Sequence, residues 1–173
     1  MKKYLLILFL LAIFNTSFGQ NNDTWFAFYN QDSTLIGFKD KLGKVKIEPK
    51  FVGLSDRQKF ENIVAVYEET GSDLKTYYLT KSGKIVGENM LYMFDNIQDC
   101  ENEGFIRFTD QETELTGLFD IEGNIVIPAI YNTLTNVRNG ILLSLEGATK
   151  KQDGEYYFYI GGKSNLIDTQ NKV

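Results

Sequence analysis

The sequence predicts an all-β domain of four similar units, on the strength of one spacing, one pattern and one absence. Gly43, Gly83, Gly123 and Gly162 fall 40, 40 and 39 residues apart, each between two strand-like runs. Val45-Lys46-Ile47 and Phe105-Ile106-Arg107-Phe108 alternate or run continuously as strands do. Between Asn22 and Val173 no stretch keeps an apolar 3.6-residue stripe for three turns, so no helix is predicted.

The chain starts with Lys2 and Lys3, an apolar run from Tyr4 to Phe14 and a small-residue exit at Ser17-Phe18-Gly19, the layout of a secretory signal peptide covering residues 1–19. The run is about half of the roughly 20 residues a membrane-spanning helix needs, so no span is expected after cleavage. No cysteine follows the exit to carry a lipid. Residues 20–173 are then one exported domain, periplasmic or extracellular. Removing the leader takes two lysines and no acid, leaving 16 basic against 23 acidic side chains, net −7. That balance argues against a nucleic-acid partner.

Each unit opens with a first strand: Trp25 to Tyr29, Ile63 to Tyr67, Phe105 to Phe108 and Ile141 to Leu145. Three of these follow Asn62, Gly104 or Gly140, residues that tolerate a left-handed backbone. A second strand precedes each turn glycine: Ile36 to Asp40, Thr76 to Thr80, Thr116 to Asp120 and Glu155 to Tyr159. A third follows it: Lys44 to Ile47, Lys84 to Val86, Asn124 to Ile127 and Lys163 to Ile167. The glycine supplies the positive φ that a tight hairpin requires. The units are about 24–61, 62–103, 104–139 and 140–173. Pro49 and Pro128 stand just after the third strands, where a missing N–H costs least.

Six residues before the turn glycine, Gly37, Tyr77, Gly117 and Tyr156 alternate glycine with tyrosine, which suggests a tyrosine ring covering a neighbouring glycine backbone. Successive strand residues face opposite ways, so Tyr77-Tyr78 and Tyr156-Tyr157-Phe158-Tyr159 put rings on both sheet faces. Repeat register places Phe38, Tyr78, Leu118 and Tyr157 on the core side. Tyr77, Tyr156 and Phe119 fall on the other side and are the candidate face for a protein partner or, alternatively, a glycan.

These units resemble the WG-repeat family, whose copies read approximately Trp-Gly-aromatic-x-Asp-x-x-Gly-Lys, an aliphatic strand, Pro, then Tyr or Phe. The stretch from Thr116 to Tyr131, followed by Asn139-Gly140-Ile141-Leu142, matches best, and the first unit matches through Gly37, Asp40, Gly43, Lys44, Pro49 and Phe51. Ile36, Thr76, Thr116 and Glu155 hold the place of the tryptophan. The resemblance implies an interaction or scaffold protein, often exported, with no catalytic residues to carry over.

The chain has no histidine and one cysteine, Cys100. A Ser-His-Asp triad, a Cys-His pair and a zinc site of Cys and His ligands are therefore excluded. No intramolecular disulfide can form. Asp99, Glu101 and Glu103, Asp110, Glu112 and Glu114, and the pair Glu68 and Glu69 read as solvated loop charge, and no calcium-loop spacing is present. Gly161-Gly162-Lys163 reads as a hairpin turn and not a phosphate loop. A non-enzymatic protein without cofactors is expected. Its loops between first and second strands, Asn30 to Thr34, Glu68 to Lys75, Thr109 to Glu114 and Glu146 to Glu155, share one edge. The units stack as an open solenoid-like array or close into a barrel or small propeller, since one unit is too small for its own core.

Overall fold

A computed structural model describes residues 23–55, 58–94 and 97–173; the expected leader lies outside them. Among the described residues there are strands and no helix. Unit 1 holds β1 (Trp25–Tyr29), β2 (Ile36–Lys39), β3 (Val45–Leu54) and β4 (Lys59–Phe60). Unit 2 holds β5 (Ile63–Thr70), β6 (Asp73–Thr80), β7 (Ile85–Val86), β8 (Met93–Phe94) and β9 (Ile97–Gln98). Unit 3 holds β10 (Phe105–Thr109), β11 (Thr116–Asp120), β12 (Ile125–Tyr131) and β13 (Thr133–Leu134), and unit 4 holds β14 (Ile141–Asp153) and β15 (Tyr156–Asp168).

One turn recurs in all four units. In unit 1 the Asp40 carboxylate accepts the backbone N–H of Leu42 at 3.0 Å and of Lys44 at 2.9 Å, and Gly43 takes φ +85°. Asp120 does the same for Glu122 and Asn124, with Gly123 at +70°. Thr80 substitutes its hydroxyl, accepting from Lys84 at 3.1 Å. A side chain that holds its own turn in this way fixes the hairpin locally. The fourth copy does not lie at Gly162. It is at Asp168, which accepts from Gln170 and Lys172 at 2.8 and 2.9 Å, with Asn171 in the left-handed place at +63°. Gly162 has positive φ too, but lies inside β15, whose run from Tyr156 to Asp168 contains both strands expected in unit 4.

The entry corners of units 3 and 4 are two-residue turns. Glu103-Gly104 and Asn139-Gly140 all have positive φ, between the mutually bonded pairs Asn102/Phe105 and Arg138/Ile141. This is the type I′ geometry that matches strand twist. Asn62, by contrast, is not left-handed, and its corner is held from outside by Glu101.

Pro49 and Pro128 lie within β3 and β12, not after them. Both strands shift register there: Ile36 pairs with Phe51 while Phe38 pairs with Ile47, and Thr116 pairs with Tyr131 while Leu118 pairs with Ile127. A bulge accommodates a residue with no N–H to donate. The extra backbone passes directly over Gly37. The ring covering Gly117 comes from Phe108, its partner on β10, and a Cβ on Gly117 would fall 2.4 Å from that ring. Each glycine is thus covered from within its own unit, Gly37 by the bulged backbone and Gly117 by Phe108, and neither by the tyrosine of another unit.

Three cores lie in series. Phe38, Phe51, Val64, Val66, Tyr77 and Leu79 fill the first, between units 1 and 2. Ile63, Ala65, Tyr78, Ile106, Phe108 and Phe119 fill the second, between units 2 and 3. The third, between units 3 and 4, takes Leu118, Ile127, Leu134, Leu142 and Ile167. β5 and β6 therefore send alternate residues into two different cores, as the period of a strand allows. Each core belongs to successive units, and among the described residues none joins unit 4 to unit 1, the arrangement of an open array.

Candidate interaction surface

The sequence makes one hairpin much longer than the rest. β14 and β15 have 13 residues each and pair from Ile141↔Asp168 out to Asp153↔Tyr156. The loop is only Gly154-Glu155, with positive φ at Gly154 alone, the pattern of a type II′ turn. The loop expected over Glu146 to Glu155 is therefore almost all strand, and so is that expected over Glu68 to Lys75, where Gly71-Ser72 alone make the turn.

The base of the long hairpin is anchored, with Leu142, Ser144 and Ile167 buried. Its outer half is an arm. Tyr156 is 78% exposed, and Tyr157, Phe158 and Ile160 are each about half exposed. Lys150 braces the arm: its ammonium lies 4.6 Å from the Tyr157 ring centroid and 2.8 Å from the Glu114 carboxylate on the β10–β11 loop. That hydrogen bond raises Lys150 above its ordinary pKa and lowers Glu114 below its own. Tyr157 and Tyr159 meet edge to face at 5.9 Å.

Of the three side chains expected on one exposed face, only Tyr156 is exposed. Tyr77 is buried in the first core, with its hydroxyl donating to Glu68, and Phe119 is buried in the second, stacked 4.2 Å from Phe108. The ends of β6 and β11 next to their turns are covered on both sides, which buries Tyr77 and Phe119 as well as Tyr78 and Leu118. Tyr157, expected in the core, lies on the arm because the unit 4 turn is at Asp168, which carries Tyr157 beyond the core positions of the hairpin. Phe158 was read only as one of the rings of its strand, and Ile160 was missed. The signal that identifies them is Asp168-x-x-Asn171-Lys172, which moves the turn toward the C-terminus and frees the Tyr156–Ile160 stretch from any core position.

Of the acids of the 99–103 segment, Asp99 is buried and Glu101 half-buried, while Glu103 is exposed as expected but hydrogen-bonded. Asp99 and Arg107 form a buried two-point ion pair at 2.6 and 2.9 Å, and the guanidinium also donates to the Leu134 carbonyl and lies 4.2 Å over the Tyr92 ring. Glu101 reaches back to the N–H groups of Asn62 and Ile63, where unit 2 begins. Glu103 reaches forward to those of Asn139 and Gly140, where unit 4 begins. These two N–H groups hold the Glu103 carboxyl below its ordinary pKa. A five-residue segment thus ties three units together. The recess beside Cys100, lined by Ser55, Lys59, Glu61, Ile63 and Glu101, measures about 20 Å³, room for about one water.

Residues 117–143, from the second strand of unit 3 to the first strand of unit 4, match the family model of the WG containing repeat. Neither the curated proteins nor the solved structures contain a match to the chain.

Proposed function

We propose that this WG-like repeat array is an exported, non-catalytic scaffold that binds another protein through the β14–β15 arm. The observation that carries the reading is the exposure of Tyr156, Tyr157, Phe158 and Ile160 together on a braced two-stranded arm. Tyrosine and phenylalanine offer large contact area for few frozen torsions, and they concentrate at the centres of protein interfaces. The leader-like residues 1–19 support a periplasmic or extracellular address, and a mature net charge of −7 speaks against nucleic acid.

A photo-crosslinking side chain at position 158 in the producing cells, compared with one at Leu42, tests it. Leu42 is the more accessible of the two, 86% against 48% exposed, but sits on a unit 1 turn. A protein adduct formed at 158 and absent at 42 is the expected result; none at either site sinks the reading. A carbohydrate-binding accessory role is the second reading, favoured by the open Tyr156 ring. Glycan-array binding that disappears in Tyr156→Ala would replace the first reading with the second.

A further inference from the structure

Charge is divided unevenly along the array. Residues 24–61, which make up unit 1, carry seven basic and five acidic side chains, net +2, whereas residues 62–173 carry nine against seventeen, net −8. Part of the excess in unit 1 lies on one sheet face. Register sets Lys59, Phe26, Lys39 and Val45 side by side across β4, β1, β2 and β3. Trp25 and Ala27 pack on the first core, so Phe26 and the row through it face the other way. Phe26 and Val45 are 38 and 39% exposed, and the Lys39 ammonium lies 5.4 Å from the ring centroid of Phe28 on the same face.

The row runs into the β2–β3 turn, Lys41-Leu42-Gly43-Lys44, where the strongly exposed Leu42 stands between two exposed lysines. The acid of that turn, Asp40, is buried and already engaged by the N–H groups of Leu42 and Lys44 and by the Lys46 ammonium at 3.3 Å. None of the ion pairs formed among the described residues involves Lys39, Lys41, Lys44 or Lys59. Four lysines thus frame Phe26, Val45 and Leu42.

The residue types select among anionic partners. Protein interfaces enrich arginine and deplete lysine, and the four cations here are all lysine. The apolar stem of a lysine lies against an acyl boundary while its ammonium stays among headgroups, and Phe and Leu set between such lysines suit the surface of a bilayer. The N-terminal sequence keeps unit 1 near such a surface. Asp23 is fastened to this unit's end by the Lys81 ammonium, which donates to its carbonyl, and by Lys46, 3.6 Å from its carboxylate. The apolar run expected to lie in the membrane during export ends at Phe14, nine residues earlier, a length that spans at most about 30 Å.

We infer that the outer face and first turn of unit 1 form a peripheral docking surface for a bilayer with anionic headgroups. Leu42 and Phe26 enter its interfacial region, and Lys39, Lys41, Lys44 and Lys59 meet the headgroup phosphates. The negative charge of the remaining units is repelled by the same bilayer, so the asymmetry also sets the orientation. Leu42 stands at the turn end of unit 1, whereas the arm leaves from the loop end of unit 4. The inference therefore stands whether or not the arm binds another protein.

Flotation of residues 20–173, the expected mature chain, with lipid vesicles tests it. One set of vesicles mixes phosphatidylglycerol with phosphatidylcholine, and the other is phosphatidylcholine alone. Binding to the first set is expected, weakened by salt, with little to the second. Lys41→Gln and Lys44→Gln should each weaken it about five-fold and Leu42→Ser about ten-fold, while Lys151→Gln on the arm leaves it unchanged. All four positions are exposed, and unchanged thermal unfolding shows that each variant is folded. No flotation with either set overturns the inference, as does flotation that is equal for both sets or indifferent to the unit 1 substitutions. A protein photo-crosslinked from position 42 in the producing cells overturns it too, putting a protein in the place of the bilayer.

Discussion

A Cβ on Gly37 would stand 2.7 Å from the backbone nitrogen of Pro49 and 2.5 Å from the carbonyl oxygen of Ile47. The two residues occur as a pair. Unit 3 repeats the arrangement with Gly117 and the bulge at Pro128, while units 2 and 4 have neither residue of the pair and place Tyr77 and Asn165 on the equivalent second-strand positions. The proline forces the bulge, the bulge lowers a stretch of backbone onto the second strand, and glycine alone leaves room beneath it.

Gly37→Ala should therefore destabilise by about 2–3 kcal/mol, since the obstacle is main chain and cannot rotate away. Thermal unfolding of Gly37→Ala beside Gly71→Ala separates this from the ordinary strain of positive φ. Gly71 has φ +67° but open space around a Cβ. Equal losses in the two variants would contradict the backbone clash.

Tyr78 links two units through its hydroxyl, which donates to the Arg107 carbonyl at 2.7 Å and accepts from the Tyr92 N–H at 2.9 Å. Burial pushes this phenol far above the usual tyrosine range, so it stays protonated at every working pH. Tyr78→Phe keeps the ring and strands both partners, for an expected loss of about 1–3 kcal/mol in chemical denaturation. A loss of a few tenths would mean that water replaces the hydroxyl.

Arg107→Ala leaves Asp99 buried without its counter-charge, and a loss of about 3–5 kcal/mol is expected. The double variant Arg107→Ala with Asp99→Asn should recover part of that loss, because the neutral amide needs no counter-ion. Urea titration of the single and double variants reads the difference, and no recovery would show that the hydrogen bonds to Leu134 and the Tyr92 contact matter more than the charge.

Acid should loosen the ties between units. Glu103 is held below its ordinary pKa of 4.5 by the Gly140 and Asn139 N–H groups. Burial pushes Glu68 up, but the Tyr77 hydroxyl and the Lys50 ammonium outweigh it and leave the carboxyl lowered. A carboxylate whose folded pKa is depressed stabilises the fold above its unfolded value and loses that contribution as pH falls through the folded value. Tm should decline below pH 4.5, and Glu103→Gln should make that decline shallower while lowering Tm at pH 7. A variant with the same acid limb as wild type would remove Glu103 from the explanation.

How much of this the sequence disclosed follows from which interactions are local. The turns at Gly43, Gly83 and Gly123 were legible because a side chain at the first position and a positive φ at the fourth are enough to make them. The fourth turn was hidden because Asn171 does the work of glycine while Gly161-Gly162 imitates the motif 40 residues on. Alternation along β6 correctly divides Tyr77 from Tyr78, yet nothing local says that a second core covers Tyr77. The ties made by Glu101 and by the exposed Glu103 were hidden because their partners, Asn62 and Asn139, lie more than 30 residues away.

Because β5, β6, β10 and β11 each serve two cores, none can open without exposing apolar surface on both of its sides. Backbone amides in those strands should exchange with solvent last, and those of the β14–β15 arm first. The array then breathes from its ends inward, like a stack of plates held hardest in the middle. A partner seated on unit 4 would be felt as slower exchange passing back along the chain one core at a time.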